Sequence, residues 1–139
     1  MKISPAGLAA LIQREGKRNV AYQDTRGIWT IGVGHTGPEV HSGLVWTDEQ
    51  VQAALATDVK WAEDEINLRV LVPITQNQFD ALVSFVFNVG KSGFDSSSAL
   101  RDLNIGIMKV ANDLLMWEKP PELRGRRESE RRQFLTKEA

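Results

Sequence analysis

The segment EGKRNVAYQDTRGIWTIGVGH, residues 15–35, is where the periodicity of the chain changes. Upstream of it, Leu8, Leu11 and Ile12 recur at helical spacing behind Ser4-Pro5, an N-cap residue followed by proline at the first helical position. Glu15 ends that helical pattern, and Gly16 permits a stop. From Val20 to Val33 the period drops toward two. Ala21-Tyr22, Ile28-Trp29 and Ile31 are separated by the turn-like Asp24-Thr25-Arg26-Gly27, which predicts a small twisted hairpin or short sheet. Gly32, Gly34 and Gly37 suggest tight turns around His35.

Helices dominate downstream. Thr47-Asp48-Glu49-Gln50 has the form of a capping box, and Val51, Leu55, Val59, Ala62 and Ile66 continue it as one long amphipathic helix to about Leu68. Pro73 breaks the chain, and Thr75-Gln76-Asn77-Gln78 is a second capping box. It opens a helix so apolar (Phe79, Leu82, Val83, Val86, Val89) that it is expected to be central and buried, ending at Gly90. Residues 96–103 and 108–117 read as short helices, the second carrying Val110, Leu114 and Trp117 on one face and stopped by Pro120-Pro121. Residues 124–137 read as a final charged helix docked by Phe134 and Leu135. The fold class is therefore α+β, mainly helical, with one small β element near the N-terminus.

The chain has 139 residues, 17 Lys and Arg against 18 Asp and Glu, and no cysteine. Near-zero net charge gives no global attraction to nucleic acid or anionic membrane. Neither disulfides nor thiolate chemistry contribute, and two histidines, His35 and His41, are too few for a histidine-rich metal site. The apolar run at residues 8–12 is too short for a signal segment and is closed by Arg14 and Glu15, and no stretch approaches a membrane span. A protein made in the cytoplasm without stable membrane association is expected.

Glu15 and Asp24 sit in different local settings. Exposed carbonyls at a helix C-terminus disfavour a carboxylate, and burial beside Trp29 or Phe87 would act the same way, so Glu15 suits a group that must hold its proton. Asp24 lies in a turn, where hydrogen bonds and solvent keep it ionised. Two carboxyls so divided are what acid-assisted glycosidic cleavage requires. Thr30 adds a hydroxyl that can donate to and accept from a water beside Asp24. On ordinary surface statistics such residues are solvated charges on a plain hairpin.

The pattern E-x8-D-x5-T followed by I-G-V-G-H resembles the phage-type lysozymes, the endolysins of tailed phages and prophages. The segment PITQNQFDALVSFVFNVG, residues 73–90, with Ser97, Ala99, Leu100, Arg101 and Leu103 after it, is similar to that family's central helix and the short helix beyond. The resemblance runs from about Ser4 to Trp117. It implies one lysozyme-like catalytic domain over residues 1–139, with a β-containing lobe at about 16–58 and a helical lobe from 1–15 and 59–139. The long middle helix would join the lobes, with the cleft at their junction. It implies a muramidase cutting the β-1,4 bond between N-acetylmuramic acid and N-acetylglucosamine, with Glu15 as acid, Asp24 as base and Thr30 holding the water. Carboxyls about 6.5–9.5 Å apart would give inversion.

The resemblance also places Thr36 and Ser97 along the substrate; Ser97 reads equally well as a helix N-cap. Phe87 and Asn88 read either as core packing and a polar helix end, or as a cleft wall offering an aromatic face and an amide to an N-acetyl sugar. His35 reads as a structural residue, holding the β element or contacting Asp24 or another charged partner. In the tail, Arg124, Arg126, Arg127, Arg131 and Arg132 interleave with Glu118, Glu122, Glu128, Glu130 and Glu138, which favours a solvated, ion-paired helix over a nucleic-acid patch. The family's arginine against the catalytic glutamate falls on Arg126, with Arg127 as the neighbour that the short Pro120-to-Gly125 connection leaves open.

No cofactor or metal is expected. The partners implied are peptidoglycan glycan strands and a holin that releases the enzyme from the host cytoplasm to the periplasm, with the enzyme acting as a monomer. Two other readings stand beside this one: a cell-wall or nucleic-acid binding module without turnover, and a lytic transglycosylase that leaves an anhydro sugar. The presence of Glu15, Asp24 and Thr30 together speaks against the first, and Asp24 with Thr30 favours water attack over the second.

Overall fold

Ser4 Oγ accepts from the Gly7 N–H at 3.0 Å and so caps the first helix, α1 (Pro5–Glu15), in a computed structural model that describes residues 1–106, 110–117 and 121–137. The strands follow as β1 (Arg18–Gln23), β2 (Trp29–Gly32) and β3 (His35–Thr36), antiparallel in the order β1-β2-β3. Register pairs Tyr22 with Thr30 and Thr30 with Thr36. A bridge between Val20 and Val45 extends the sheet beyond β1.

Both capping boxes form. Thr47 and Gln50 exchange side chain-to-backbone bonds at the start of α2 (Asp48–Asp58), and Thr75 and Gln78 do so at the start of α4 (Gln76–Asp95). Between them the single long helix expected from residue 47 to about 68 is two: α2 ends at Asp58 and α3 spans Lys60–Arg69. Val59 takes φ −86° and ψ −2°, and its N–H is shared between the Leu55 and Thr57 carbonyls. A one-residue break leaves the apolar phase almost unchanged, so Val59 and Ala62 are both buried and the pattern runs through it. In α4, Phe79, Leu82, Val83, Phe85 and Val86 are fully buried, and the helix breaks at Gly90 (φ 86°, ψ 168°) before a last turn to Asp95.

The remaining helices are α5 (Ser98–Asn104), α6 (Val110–Asp113) followed by a 3-10 turn at Leu114–Trp117, and α7 (Arg124–Leu135). Met108 and Pro120, the expected ends of the helix before the tail, lie outside the described residues, as do Glu118 and Glu138. Two expectations for the tail are corrected. Phe134 is buried at 7 % exposure, but Leu135 is 52 % exposed and does not dock the helix. Nor is the helix solvated all round: Arg127 and Glu130 are fully buried. Residues 127, 130 and 134 share one helical stripe, so the face that buries Phe134 carries an ion pair with it.

The chain groups into two units, Leu8–Lys60 and a second made of Met1–Gly7 with Trp61–Ala139. The first holds the sheet and α2, with Ile31, Val33, Val51, Leu55 and Val59 buried. In the second, α4 packs chiefly against α7. The sequence reading draws its boundary after residue 15, whereas this grouping leaves most of α1 with the strands.

Candidate active site

Glu15 is the last residue of α1, and the Gly16 N–H closes the helix on the Ile12 carbonyl at 2.7 Å. Glu15 is exposed.

Asp24 opens the turn between β1 and β2. Gly27 N–H donates to the Asp24 carbonyl at 2.9 Å, with Gly27 at φ 80°, a conformation that glycine adopts without the Cβ penalty. The carboxylate is anchored by backbone: Oδ1 accepts from the Ile28 N–H at 2.9 Å and the Arg26 N–H at 2.8 Å, while Oδ2 accepts from Arg26 Nη2 at 3.3 Å. The Ile28 N–H first of all, then those of Arg26, hold the Asp24 carboxyl below its ordinary range.

Thr30 is 4 % exposed, and its hydroxyl donates to the Ile28 carbonyl at 2.9 Å. That same carbonyl accepts from the Asp24 N–H at 2.9 Å. With its proton committed, Thr30 Oγ1 offers lone pairs to a third group, so of the two roles read from sequence only acceptance remains. Thr36, exposed on β3, lies directly across from Thr30.

His35 finds charged partners other than Asp24. Its Nδ1 lies 2.7 Å from Asp58 Oδ2 and its Nε2 2.6 Å from Glu39 Oε1, with the Trp46 ring at 5.2 Å. Burial opposes the charged form, but the Glu39 and Asp58 hydrogen bonds outweigh it, and the imidazole is raised above its usual value. This ties β3 to the end of α2.

The other predicted residues lie in the second unit. Phe87 is half-buried and stacks on Trp61 with ring centroids 6.3 Å apart. Asn88 is exposed, and its Oδ1 accepts from Arg127 Nη2. Ser97 is buried and caps α5, accepting from the Leu100 N–H at 3.1 Å and donating to the Phe94 carbonyl at 2.7 Å. Arg126 donates through Nε to Glu130 Oε2 at 3.2 Å and through Nη2 to the Ser84 carbonyl at 2.9 Å. Arg127 binds Glu130 Oε1 through Nη1 and the Trp117 carbonyl through Nε at 2.9 Å. Sequence reasoning missed Arg127 and Glu130 as buried groups, although their spacing from Phe134 carried the signal. Among the described residues no group of three or more His, Cys, Asp or Glu is placed to hold a metal.

The phage lysozyme family model matches residues 12–132. The chain belongs to the phage lysozyme family. The endolysin of Salmonella phage P22 is 46% identical over 145 residues, covering 98% of this chain and 99% of the relative. A crystal structure of a P22 lysozyme variant superposes with TM-score 0.95 at 45% identity, covering 98% of this chain and 99% of that one. The muramidase domain of SpmX from Asticaccaulis excentricus superposes with TM-score 0.86 at 38% identity, covering 98% and 99%. As a phage lysozyme the chain is a glycoside hydrolase, a muramidase that lyses bacterial peptidoglycan. Its α+β, mainly helical architecture is that of its structural neighbours.

Proposed function

We propose that the chain hydrolyses the β-1,4 bond between N-acetylmuramic acid and N-acetylglucosamine with inversion, Glu15 protonating the leaving oxygen and Asp24 taking a proton from the attacking water. The observation that carries this reading is the Asp24–Ile28–Thr30 arrangement. Asp24 is kept ionised by backbone donors, as a base must be, and Thr30 Oγ1 is available as an acceptor. A water donating one proton to Asp24 and the other to Thr30 turns its lone pair outward, toward an anomeric carbon. Thr36, Phe87, Asn88 and Ser97 are carried as substrate-lining residues. Of these, Thr36 and Asn88 are exposed, whereas the Ser97 hydroxyl is engaged as an N-cap.

Arg126 is carried in the same reading as the group that orients Glu15. Its guanidinium and that of Arg127 both engage the carboxylate of Glu130. Side-by-side pH–rate profiles of Arg126→Ala and Arg127→Ala test it, and a shift confined to Arg127→Ala transfers the role.

The reading extends to a monomer released from the host cytoplasm through a holin-type pore and acting on glycan strands in the periplasm. No helix among the described residues is long and apolar enough to cross a membrane. Expression with and without a pore-forming partner, scored by lysis, tests the release. Mass spectrometry of muropeptides tests the chemistry: reducing ends are expected, and anhydro sugars would replace hydrolysis with transglycosylation.

A further inference from the structure

Arg127 is wholly buried, yet one of its three bonding nitrogens serves an exposed side chain. Its guanidinium is held by Nε on the Trp117 carbonyl at 2.9 Å, by Nη1 on Glu130 and by Nη2 on Asn88 Oδ1. The Phe85 ring lies under it, 5.1 Å from the guanidinium carbon. A guanidinium only donates, so the Asn88 amide atom facing it must be the oxygen. The amide is thereby fixed in one of its two orientations. Its Nδ2 has no acceptor among the described residues and is left with two N–H donors.

We propose that Arg127 is a positioning residue for substrate recognition, holding Asn88 so that its two Nδ2 N–H donors face the acetamido carbonyl of an N-acetylated glycan. An unrestrained asparagine offers a donor or an acceptor by turning its amide. This one pairs with a carbonyl oxygen and is mismatched to the ammonium of a de-N-acetylated sugar, which has donors only. The specificity assigned is therefore for acetylated over deacetylated strands. Lysine cannot replace Arg127, because an ammonium does not span Trp117, Glu130 and Asn88 with a planar fork. The proposal rests on the reading above in one respect, that Asn88 faces the glycan.

The test is steady-state kinetics on soluble glycan strands, fully acetylated and chemically de-N-acetylated, with wild type, Asn88→Ala, Asn88→Asp and Arg127→Lys. Asn88→Asp leaves an oxygen for Arg127, removes the donors and adds a charge, whereas Asn88→Ala removes the donors without one, so the pair remains informative if Arg127→Lys fails to fold. On acetylated strands, KM is expected to rise about tenfold in Asn88→Ala and Asn88→Asp, the loss of one hydrogen bond, with kcat within about twofold. Preference for acetylated strands should fall by the same factor. Folded Arg127→Lys should show the same KM rise with Asn88 intact. Wild-type KM and preference in Asn88→Ala and Asn88→Asp overturn the proposal, as does wild-type KM in Arg127→Lys. Glu15→Gln run alongside separates the two levels: its inactivity with an unaltered Asn88→Ala sinks only this inference, and its activity sinks the catalytic reading beneath it.

Discussion

Asp24 and Thr30 are joined through the backbone of one residue, Ile28: its N–H donates to the Asp24 carboxylate, and its carbonyl accepts both the Asp24 N–H and the Thr30 hydroxyl. In the proposed mechanism, base and water holder are thus set by backbone rather than by flexible side chains, the condition under which a reacting water is held in one pose. It also fixes the direction of the Thr30 hydroxyl, and with it the role available to that residue.

Thr30→Val should therefore lower kcat by about tenfold or more with little change in KM, since it removes the acceptor but keeps the β-branched shape. Stability should fall by about 1 kcal/mol for the lost bond to Ile28. Thr30→Ser should retain activity within a few-fold. Kinetics and thermal melts of the pair check this, and equal losses in both would deny the hydroxyl its role.

Asp24 is held below the ordinary carboxylate range by the Ile28 and Arg26 N–H groups. The acidic limb of the pH–rate profile, where the base becomes protonated, should fall below about pH 4, the usual value for an aspartate. By linkage, the stability Asp24 contributes is present above its unfolded value of 3.8 and is lost as pH falls through the folded one. An acidic limb well above that range would contradict the assignment. Asp24→Asn should abolish the limb along with most activity.

His35 gives the opposite sign. Glu39 and Asp58 raise it above 6.5 against the effect of burial. Its contribution to stability is fully present below the unfolded value and lost as pH rises through the folded one. Melting temperature measured from pH 5 to 9 should fall across that window in wild type and fall less in His35→Gln.

The buried pair in α7 makes a stability prediction. Glu130→Ala removes a fully buried carboxylate that Arg126 and Arg127 share and should destabilise by about 3–5 kcal/mol. Arg124→Ala, which breaks an exposed pair with Glu128, should cost about 1 kcal/mol or less. Denaturant melts of the two variants check the contrast.

Much of this was legible in the sequence because it is local. Ser4-Pro5, the two capping boxes and the Asp24-to-Gly27 turn each specify their own hydrogen bonds within four residues, and each forms. What was not legible is what tertiary packing decides. The break at Val59 preserves the apolar phase and so leaves no mark on the pattern. Arg127 and Glu130 look like solvated charges until α4 supplies Ser84 and Asn88 as partners for them and their neighbour Arg126. Thr30 was legible as a hydroxyl beside Asp24, but the direction of its proton depends on where the Ile28 carbonyl points.

The most direct test of the central claim, that Asp24 and Thr30 deliver water to the anomeric carbon while Glu15 protonates the leaving oxygen, is the anomeric configuration of the first-formed reducing ends. Proton NMR during cleavage of soluble glycan strands reads it before mutarotation. Inversion of a β-linked substrate predicts the α-anomer first, absent in Glu15→Gln, where activity falls about 10²–10⁴-fold. First appearance of the β-anomer, or of a 1,6-anhydro product with no new reducing end, would contradict it.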